Sequence, residues 1–553
     1  MVKRFRGLWR LLVGLMLPAL ACSLGQSDGP PRNAVQIEVM ANTSLSGWLA
    51  EAVTAFNAAE MEMDSGDPVY VNLLPAVEAG QAVIDLRDGE ASPTLWIPDD
   101  KVWANVLADQ GNARYQADCV SVAQSPLVIA LWRPVAEALG WPGRDLGWLD
   151  IGSLAADASA WTYYSGDQYG ETLRLGHTHP GLSATGASTL LAIVQAAQGK
   201  TEAVSLNDIQ QPIVQASVGA FEGGVAWFSS DTDGLGQAMA QRGPSFLGAG
   251  IMYESTVLQY GNGSDPNGLV PIYPFEGTFV ATHPACIDRD ASSEQRAAAG
   301  IFRDYLISAA AQELAAAKGL RPVNSSVQAS APLDAAHGAD LSQPQVVFGA
   351  PTVETLYFIQ ELWQTARKDV NLVMLLDVSG SMEGSKMENV RQAAIQFVQQ
   401  MGDEDYLTLI AFSNVLNVVA DHQQVGLARE TIIGEIEALD AEGDTALYDA
   451  IGLAAEKIAE TSSSQAANVL VVLSDGLDTY SSRYSFDEDL INAATANDTT
   501  VFTIAYGSDA DEALMQELAQ RAFGNFYLGD EASIAGIYQE MSAAFGGNLG
   551  VGR

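Results

Sequence analysis

Three oxygen-bearing side chains follow an apolar run in the last third of the chain. In the segment LLDVSGSMEGSK, Asp377, Ser379 and Ser381 occupy alternate positions directly after the run NLVMLL. One carboxylate and two hydroxyls, completed by water, suit a small hard cation such as Mg²⁺, which prefers octahedral oxygen coordination and retains waters. The spacing therefore predicts one side of a divalent-metal site at the end of a strand.

Two later segments contain oxygen donors in comparable positions. Thr445 lies in EGDTALYDA, on a loop before a helical pattern, and Asp475 follows the apolar run VVLS directly. In doubly wound sheets, ligands bind in the crevice at the carboxyl ends of the strands. We therefore expect Thr445 and Asp475 to lie beside Asp377.

The elements that must position these residues are strands alternating with helices. From Asn371 onward, the apolar runs NLVMLLD, DYLTLIAFS, NVLVVLSDG and TVFTIAYG alternate with amphipathic patterns such as KMENVRQAAIQFVQQM. Strands that are apolar throughout are buried on both faces, which indicates a parallel sheet covered by helices. The pattern predicts a doubly wound, mostly parallel α/β domain over about residues 366–545.

Together, Asp377, Ser379, Ser381, Thr445 and Asp475 resemble the complete metal-ion-dependent adhesion site of the von Willebrand factor type A domain. The motifs DVSGSM, GDTALYDA and LSDG match in the family's order. The resemblance implies Mg²⁺, or Mn²⁺ or Ca²⁺, contacted by the three hydroxyls and partly through water by the two aspartates. It also implies a protein partner that donates a carboxylate to the metal. The alternative is a remnant site on a domain that serves only as a scaffold.

Competing chemistries fail on spacing. A haloacid dehalogenase phosphatase needs aspartate where Ser379 stands, and neither Ser379 nor Ser381 has the flanking glycines of a nucleophile elbow. GSMEGSK is not a phosphate-binding loop, because its glycines are too close and serine precedes Lys386. The five histidines include no zinc-protease motif. We therefore expect no enzymatic activity.

The first half of the chain also presents hydroxyls ahead of helical patterns. They form two groups: Thr43, Ser44 and Ser46, and Ser183, Thr185 and Ser188. Hydroxyls and free N–H groups at a helix start favour an anion or a polar neutral solute. Because serine and threonine are also ordinary helix caps, a purely structural role stays open. Weaker candidates for the same cleft are Asp99, Asp100, Trp227, Glu254, Tyr273 and Glu276.

Several segments of this region resemble extracellular solute-binding proteins of the type II periplasmic-binding fold. They include IEVMANTSLSGWLAEAVTAFNA, SPLVIALWRP, HTHPGLSATGASTLLAIV, YPFEGTFVATHP and AAKGLRPVN. The resemblance implies two α/β lobes around a cleft, and the order of the two modules resembles a family of exported bacterial proteins. We expect the module at 35–345, with lobe 1 at about 35–130 and 270–345 and lobe 2 at about 131–269. A connector at 346–365 and a tail at 546–553 then flank the second domain.

The first residues predict export. A basic segment precedes the apolar run LLVGLMLPALA and Cys22, as in a cleavable signal peptide. The cysteine resembles the lipidated residue of a bacterial lipoprotein, which implies a signal peptide at 1–22, a tether at 23–34 and anchoring on the outer face of the cytoplasmic membrane or on the cell surface. An ordinary secreted protein is the alternative. No later run is long enough to span a bilayer, so we expect membrane contact only through a lipid anchor.

Two cysteines then remain, Cys119 and Cys286, each beside a strand-like run. In an exported protein two such cysteines are more often paired than free. Neighbouring strands could bring them within bridging distance, and two unpaired buried thiols are the alternative.

The charge of the chain restricts its partners. Against 27 basic residues stand 68 acidic ones, a net charge of -41. This charge disfavours nucleic acid and anionic membrane surfaces, although most of the acids are expected simply to keep the surface soluble. The leading hypothesis is a cell-surface binding protein with metal-dependent adhesion, and the alternative is a substrate-binding receptor of an ABC transporter in which the second domain docks or regulates.

Overall fold

The computed structural model describes residues 29–551, apart from residues 167 and 464. The predicted signal peptide, Cys22 and residues 23–28 of the predicted tether lie outside the described residues. No helix among the described residues combines the length and apolar composition that crossing a bilayer requires.

The strands and helices of the described residues follow one another in four stretches. The first comprises β1 (Val35–Ala41), α1 (Ser46–Ala58), β2 (Val69–Leu73), α2 (Ala79–Asp88), β3 (Leu95–Ile97), α3 (Lys101–Asp109) and β4 (Asp118–Ser121). The second comprises β5 (Ser125–Trp132), α4 (Arg133–Ala138), α5 (Trp148–Ala156), α6 (Ala158–Ser165), β6 (Leu175–Thr178), α7 (Ala184–Gln198), α8 (Leu206–Ile209), α9 (Pro212–Glu222), β7 (Val225–Ser229), α10 (Thr232–Arg242), β8 (Ala249–Tyr253), α11 (Glu254–Tyr260), β9 (Leu269–Ile272) and β10 (Val280–Ala281). The third comprises β11 (Pro284–Ile287), α12 (Ser293–Leu306) and α13 (Ala309–Ala317). The fourth comprises α14 (Val353–Ala366), β12 (Asp369–Asp377), α15 (Ser385–Gln400), β13 (Tyr406–Phe412), β14 (Leu416–Gln424), α16 (Val425–Glu437), α17 (Leu447–Thr461), β15 (Ala466–Ser474), α18 (Glu488–Ala494), β16 (Thr500–Tyr506), α19 (Glu512–Arg521), β17 (Phe526–Gly529) and α20 (Ile534–Ala544).

The first three stretches form the two lobes of the N-terminal module. Lobe 1 has a five-stranded sheet of order β2-β1-β3-β11-β4, and lobe 2 has a mixed sheet of order β10-β5-β8-β6-β7 with β9 paired to β5. The lobes meet at different residues from those predicted. Residues 125–130 and 270–281 belong to lobe 2, because β5 is buried along its whole length and pairs antiparallel with β8 and β9. The chain therefore crosses between the lobes near residues 124 and 282.

The predicted disulfide is present in lobe 1. Strands β4 and β11 are antiparallel neighbours, and Cys119 and Cys286 lie directly opposite each other in their register. Their sulfur atoms are bonded, with the Cα atoms 4.0 Å apart. The disulfide links residues that are 167 positions apart in the sequence. It joins β11, where the chain returns to lobe 1, to β4 in the first part of the module.

The C-terminal domain confirms the doubly wound fold. Its six strands lie in the order β14-β13-β12-β15-β16-β17, and all neighbours are parallel except β13 and β14. Alternate residues of β12 enter two different hydrophobic clusters: Leu372 and Met374 pack in one, Val373 and Leu375 in the other. This alternation explains why the strand is apolar throughout, since both faces of the sheet are covered.

The segment predicted as a connector is largely helical, and one face of its helix is buried. Helix α14 begins at a Thr352 cap and packs against α3 of lobe 1 and against α7, α8 and α9 of lobe 2. Trp363 of this helix is buried and donates a hydrogen bond to Glu222 of lobe 2, 3.0 Å away. The helix therefore contacts both lobes and continues directly into β12.

The residues predicted as a tail also pack against the N-terminal module. Val551 is fully buried, and its N–H donates to the carbonyl of Gly181 at 3.3 Å. His179 Nε2 donates to the carbonyl of Gly547 at 2.8 Å, and burial lowers the pKa of His179 to about 4, which keeps the ring neutral. The two modules thus share a continuous apolar core.

Candidate metal site and solute cleft

The predicted metal ligands lie at the carboxyl ends of β12 and β15. These strands are parallel neighbours, and Leu376 lies opposite Leu473, so that Asp377 and Ser474 end their strands side by side. Ser474 donates its hydroxyl hydrogen bond to Asp377 at 2.5 Å. Asp475 is the next residue, and both aspartates are almost completely buried.

A chain of hydrogen bonds connects four of the five predicted ligands. The N–H of Ser379 donates to Asp377 Oδ1 at 2.9 Å, the hydroxyls of Ser379 and Ser381 are 3.0 Å apart, and the Ser381 hydroxyl donates to Asp475 Oδ1 at 2.6 Å. Ser381 is exposed, whereas the other three are buried. The oxygen atoms of these residues therefore converge on a position that solvent reaches from the Ser381 side.

Thr445 borders the same position from the loop before α17. Its backbone carbonyl accepts hydrogen bonds from the N–H groups of Thr479 and Tyr480, and its own N–H donates to the Thr479 hydroxyl at 3.0 Å. A Cβ atom placed on Gly476, the residue after Asp475, would lie 3.6 Å from the Thr445 hydroxyl. All five predicted residues thus occupy one edge of the sheet.

The charges of this position fit a cation. Burial raises the pKa of Asp377, and the neighbouring Asp475 raises it further. The described residues supply one ammonium group that contacts the pair, that of Lys386, whose Nζ lies 2.5 Å from Asp475 Oδ2. Two carboxylates, three hydroxyls and a single ammonium leave net negative charge among hard oxygen donors, the chemistry that Mg²⁺ prefers.

Sequence reasoning missed three residues that support this site: Ser474, Lys386 and Thr479. Each of them stands close in the sequence to a predicted ligand or to the loop that carries it. The sequence shows that these three side chains can form hydrogen bonds. It does not show that they contact Asp377, Asp475 or Thr445, because those contacts depend on the fold.

In the N-terminal cleft, the predicted hydroxyls converge on a residue that the sequence did not indicate, Glu78. Glu78 is 3% exposed, and its carboxylate accepts hydrogen bonds from the Asn42 amide at 3.2 Å, the Thr43 hydroxyl at 2.5 Å, the Ser183 hydroxyl at 2.6 Å and the Thr232 N–H at 3.0 Å. Asn42 and Thr43 belong to lobe 1, and Ser183 and Thr232 to lobe 2. The carboxylate therefore joins both lobes.

The other predicted hydroxyls serve different local roles. Thr185 bonds the hydroxyls of Ser183 and Thr232 at 3.0 and 2.8 Å, behind the Glu78 contact. Ser44 and Ser46 bond to Asn42 and to the Thr43 carbonyl, within the short 3-10 turn that precedes α1. Ser188 lies one turn inside α7, and none of these hydrogen bonds involves it.

Two further acids lie in this region: Asp99 is buried, and Asp100 is half-buried. The Asn42 amide also donates to Asp99 at 3.0 Å, and the Tyr253 hydroxyl donates to Asp99 at 2.6 Å. Burial raises the pKa of Asp99 well above its ordinary value, and Glu78 raises it further. Burial also raises the pKa of Asp100 to about 7, partly offset by a hydrogen bond from Thr282.

The remaining weaker candidates lie in structural contacts. Trp227 stacks on Phe502 of the C-terminal domain, with ring centroids 5.6 Å apart. Glu254 forms a buried ion pair with Arg321 and accepts a hydrogen bond from Tyr273. Glu276 accepts hydrogen bonds from the first N–H groups of α5.

The two lobes touch directly at the floor of the cleft. The N–H groups of Gly80 and Gln81 in lobe 1 donate to the Leu182 carbonyl of lobe 2 at 2.8 and 3.2 Å. A Cβ atom at Gly80 would lie 2.5 Å from the carbonyl oxygen of Gly181, so only glycine permits this approach. The space left next to Glu78 is a crevice of about 290 Å³ whose outer wall is α20 of the C-terminal domain.

Comparisons with known proteins match the same two parts of the chain. The family described as bacterial extracellular solute-binding protein matches residues 37–321, just over half of the chain, and the von Willebrand factor type A domain matches residues 371–540. The uncharacterized protein sll0103 of Synechocystis sp. is 30% identical over 193 residues, which cover 34% of this chain and 44% of that protein. The chain thus matches less than half of the length of this relative.

Solved structures are similar to each part in fold. A periplasmic thiamin binding protein has a TM-score of 0.45 at 12% identity and covers 61% of this chain and 97% of its own. A von Willebrand factor type A structure from Catenulispora acidiphila has a TM-score of 0.28 at 23% identity and covers 32% of this chain and 42% of its own.

Proposed function

Because the chain belongs to the bacterial extracellular solute-binding protein family and carries a von Willebrand factor type A domain, we propose that it is an exported binding protein that holds a protein partner through a divalent metal ion. The observation that carries the proposal is the hydrogen-bonded series Asp377, Ser379, Ser381 and Asp475, in which Ser381 is exposed to solvent. With Thr445, these residues would hold Mg²⁺, Mn²⁺ or Ca²⁺. The bound ion would supply an exchangeable position for a carboxylate of the partner.

The surface around this position supports a protein partner. Two large apolar residues on the loop after Asp475 are more than half exposed: Leu477 at 58% and Tyr480 at 51%. Leu477 follows Asp475 by two residues, and the Tyr480 N–H bonds to the Thr445 carbonyl. Exposed apolar groups that surround a polar centre are typical of an interaction site. We therefore propose a partner whose carboxylate is flanked by large apolar side chains.

The proposal is for binding rather than catalysis. The hydroxyls of Ser379 and Ser381 bond to each other, and that of Ser381 donates to Asp475; among the described residues, neither hydroxyl is hydrogen-bonded to a histidine or lysine that could act as its base. We also propose that Cys22 carries the lipid that holds the protein at the outer face of the cytoplasmic membrane or at the cell surface, its only contact with the membrane.

The second candidate is a receptor that delivers a polar or anionic solute to an ABC transporter. The match to solute-binding proteins over residues 37–321 supports it. The cleft argues against this candidate. Glu78 already accepts the hydrogen bonds of the donors that converge there, and α20 lines the remaining crevice. A native mass spectrum of the purified chain that contains a defined small molecule would favour this candidate.

Metal binding is tested by isothermal titration of Mg²⁺ into the chain without residues 1–22. We expect one site in the wild type and no measurable site in Asp377→Ala. Asp440→Ala is the matched control, because the Asp440 side chain is 95% exposed. Equal Mg²⁺ binding by wild type and Asp377→Ala would refute the metal site.

Partner binding is tested by selecting displayed peptides on the immobilised chain in Mg²⁺ and eluting them with EDTA. The expected peptides carry Asp or Glu next to a large apolar residue, and they lose binding when that acid becomes an amide or when Asp377→Ala replaces the wild type. Peptides that bind equally in EDTA would contradict the proposed mechanism.

A further inference from the structure

Glu78 stands out because hydrogen-bond donors of both lobes converge on its carboxylate, although burial and the nearby Asp231 raise its pKa. Four donors reach it, and all four are neutral: an amide, two hydroxyls and a backbone N–H. Each carboxylate oxygen accepts two of these hydrogen bonds. A buried carboxylate with this many partners is fully satisfied without any contribution from solvent or solute.

The donors come from helix starts in both lobes. Asn42 caps the 3-10 turn before α1, Ser183 is the residue before α7, and Thr232 is the first residue of α10. The N-terminal ends of helices carry partial positive charge and unsatisfied N–H groups, which favour an anion. The two lobes thus direct these groups toward a single point between them, and a side chain of lobe 1 fills it.

We infer that Glu78 is a built-in ligand of the cleft: its carboxylate takes the place of an external carboxylate and holds the two lobes closed. The contact from Gly80 and Gln81 to the Leu182 carbonyl, directly beside it, fixes the same closed arrangement through the backbone. An external anion reaches the four donors only when the Glu78 side chain is removed. The chemical class that fits the emptied site is a small monocarboxylate such as acetate.

The position of the crevice makes this replacement testable. Glu78, Thr43 and Gln81 line it on the side of lobe 1, Leu182 and Asp231 on the side of lobe 2, and Glu540 on α20. Truncation of Glu78 therefore leaves a space between the lobes that opens into an existing cavity of about 290 Å³. Acetate, with the carboxylate and one methyl group, is small enough for the volume that the glutamate side chain leaves.

The experiment measures the thermal midpoint of the chain without residues 1–22 at pH 7, for wild type and Glu78→Ala, in increasing sodium acetate or sodium chloride. We expect Glu78→Ala to melt several degrees below the wild type in chloride and acetate to recover at least half of the loss. The wild type is expected to respond equally to both salts. Glu90→Ala, an exposed acid just beyond α2, is the matched control and should show neither effect.

If Glu78→Ala does not fold in chloride, the same titration is read as recovery of folded protein on refolding in acetate. Three results would overturn the inference: a variant as stable as the wild type, a destabilised variant that acetate does not rescue beyond chloride, or a wild type that acetate stabilises as much as it stabilises the variant. The last result would mean that the cleft accepts an external anion with Glu78 in place.

Discussion

The cleft of the N-terminal module and the strand ends of the C-terminal domain present similar groups but differ in what satisfies them. In the cleft, the donors from both lobes are already paired with the carboxylate of Glu78. At the strand ends, Asp377 and Asp475 are linked through Ser379 and Ser381, and Ser381 is exposed to solvent. The donors of the cleft are satisfied within the protein, whereas the residues at the strand ends are accessible to a ligand from outside.

We infer from this difference that a binding fold can keep its donors while one of its own side chains takes the place of a ligand. The C-terminal domain bounds the same space, because α14 packs on both lobes and α20 lines the crevice beside Glu78. Hinge motion of the lobes would have to break these contacts together with the Glu78 hydrogen bonds. We therefore expect the N-terminal module to serve as a rigid support for the C-terminal site.

The largest effect is expected from Gly80→Ala, which forces the closed cleft open. The added Cβ would lie 2.5 Å from the Gly181 oxygen and 2.7 Å from the Leu182 oxygen, and these backbone atoms cannot rotate away. We expect a loss of about 3 kcal/mol of stability, as for other overpacked sites, measured as a lower urea midpoint.

Gly434→Ala is the control for Gly80→Ala, because Gly434 lies in α16 with no atom within 4 Å of a Cβ at that position. It should raise stability by roughly 0.5–1 kcal/mol, since alanine is the better helix former. A Gly80→Ala variant as stable as the wild type would mean that the lobes separate easily, and the contrast between the two sites would fail.

A smaller effect concerns Asp100, a half-buried acid that accepts a hydrogen bond from Thr282. Burial raises the pKa of Asp100 to about 7, whereas an unfolded chain releases this proton near the ordinary aspartate pKa of 3.8. Between these two pKa values the folded protein holds a proton that the unfolded chain has lost. The stability of the folded protein therefore falls as the pH rises from about 4 toward 7. Asp100→Asn resembles the protonated form and should be more stable than the wild type by about 1–2 kcal/mol at pH 8, with little difference at pH 4.

Urea midpoints of wild type and Asp100→Asn at pH 4 and pH 8 measure this difference. The control is Asp440→Asn, whose exposed side chain should give the same small difference at both values. A stability gain for Asp100→Asn that is as large at pH 4 as at pH 8 would show that Asp100 ionises as an ordinary surface acid and that the cleft does not penalise its charge.

Residue spacing predicted much of the C-terminal domain and less of the N-terminal cleft. Asp377, Ser379 and Ser381 lie within five residues, and Asp475 follows a strand, so a parallel sheet necessarily brings their strand ends to one edge. The disulfide partners were also predictable, because each lies beside a strand-like run. These features depend on local sequence patterns and on a sheet topology that the alternation of strands and helices predicts.

Glu78 was not predictable in this way. It is a single acid in the apolar segment LLPAVEAGQAV, and its partner Ser183 is 105 residues away in the other lobe. The contact depends on how far the lobes close, which no periodicity encodes. The burial of α14 and Val551 was not predictable for the same reason: both pack against the N-terminal module through tertiary contacts that their short segments do not indicate.

The smallest expected effect is at Lys386, beside the predicted metal site. Lys386 places its ammonium 2.5 Å from Asp475 Oδ2, so a divalent ion held by Asp475 would meet a like charge close by. Removing that charge with Lys386→Met keeps the length of the side chain, and we expect the Kd for Mg²⁺ to fall roughly fivefold, equivalent to about 1 kcal/mol for a partly screened charge at this range. Isothermal titration measures the change, and Lys457→Met, which removes a lysine that bonds Asp421 instead, should leave the Kd unchanged. If Lys386→Met weakens Mg²⁺ binding, the lysine orients Asp475 for the ion rather than competing with it. The geometry of the metal site would then depend on the ion pair between Lys386 and Asp475.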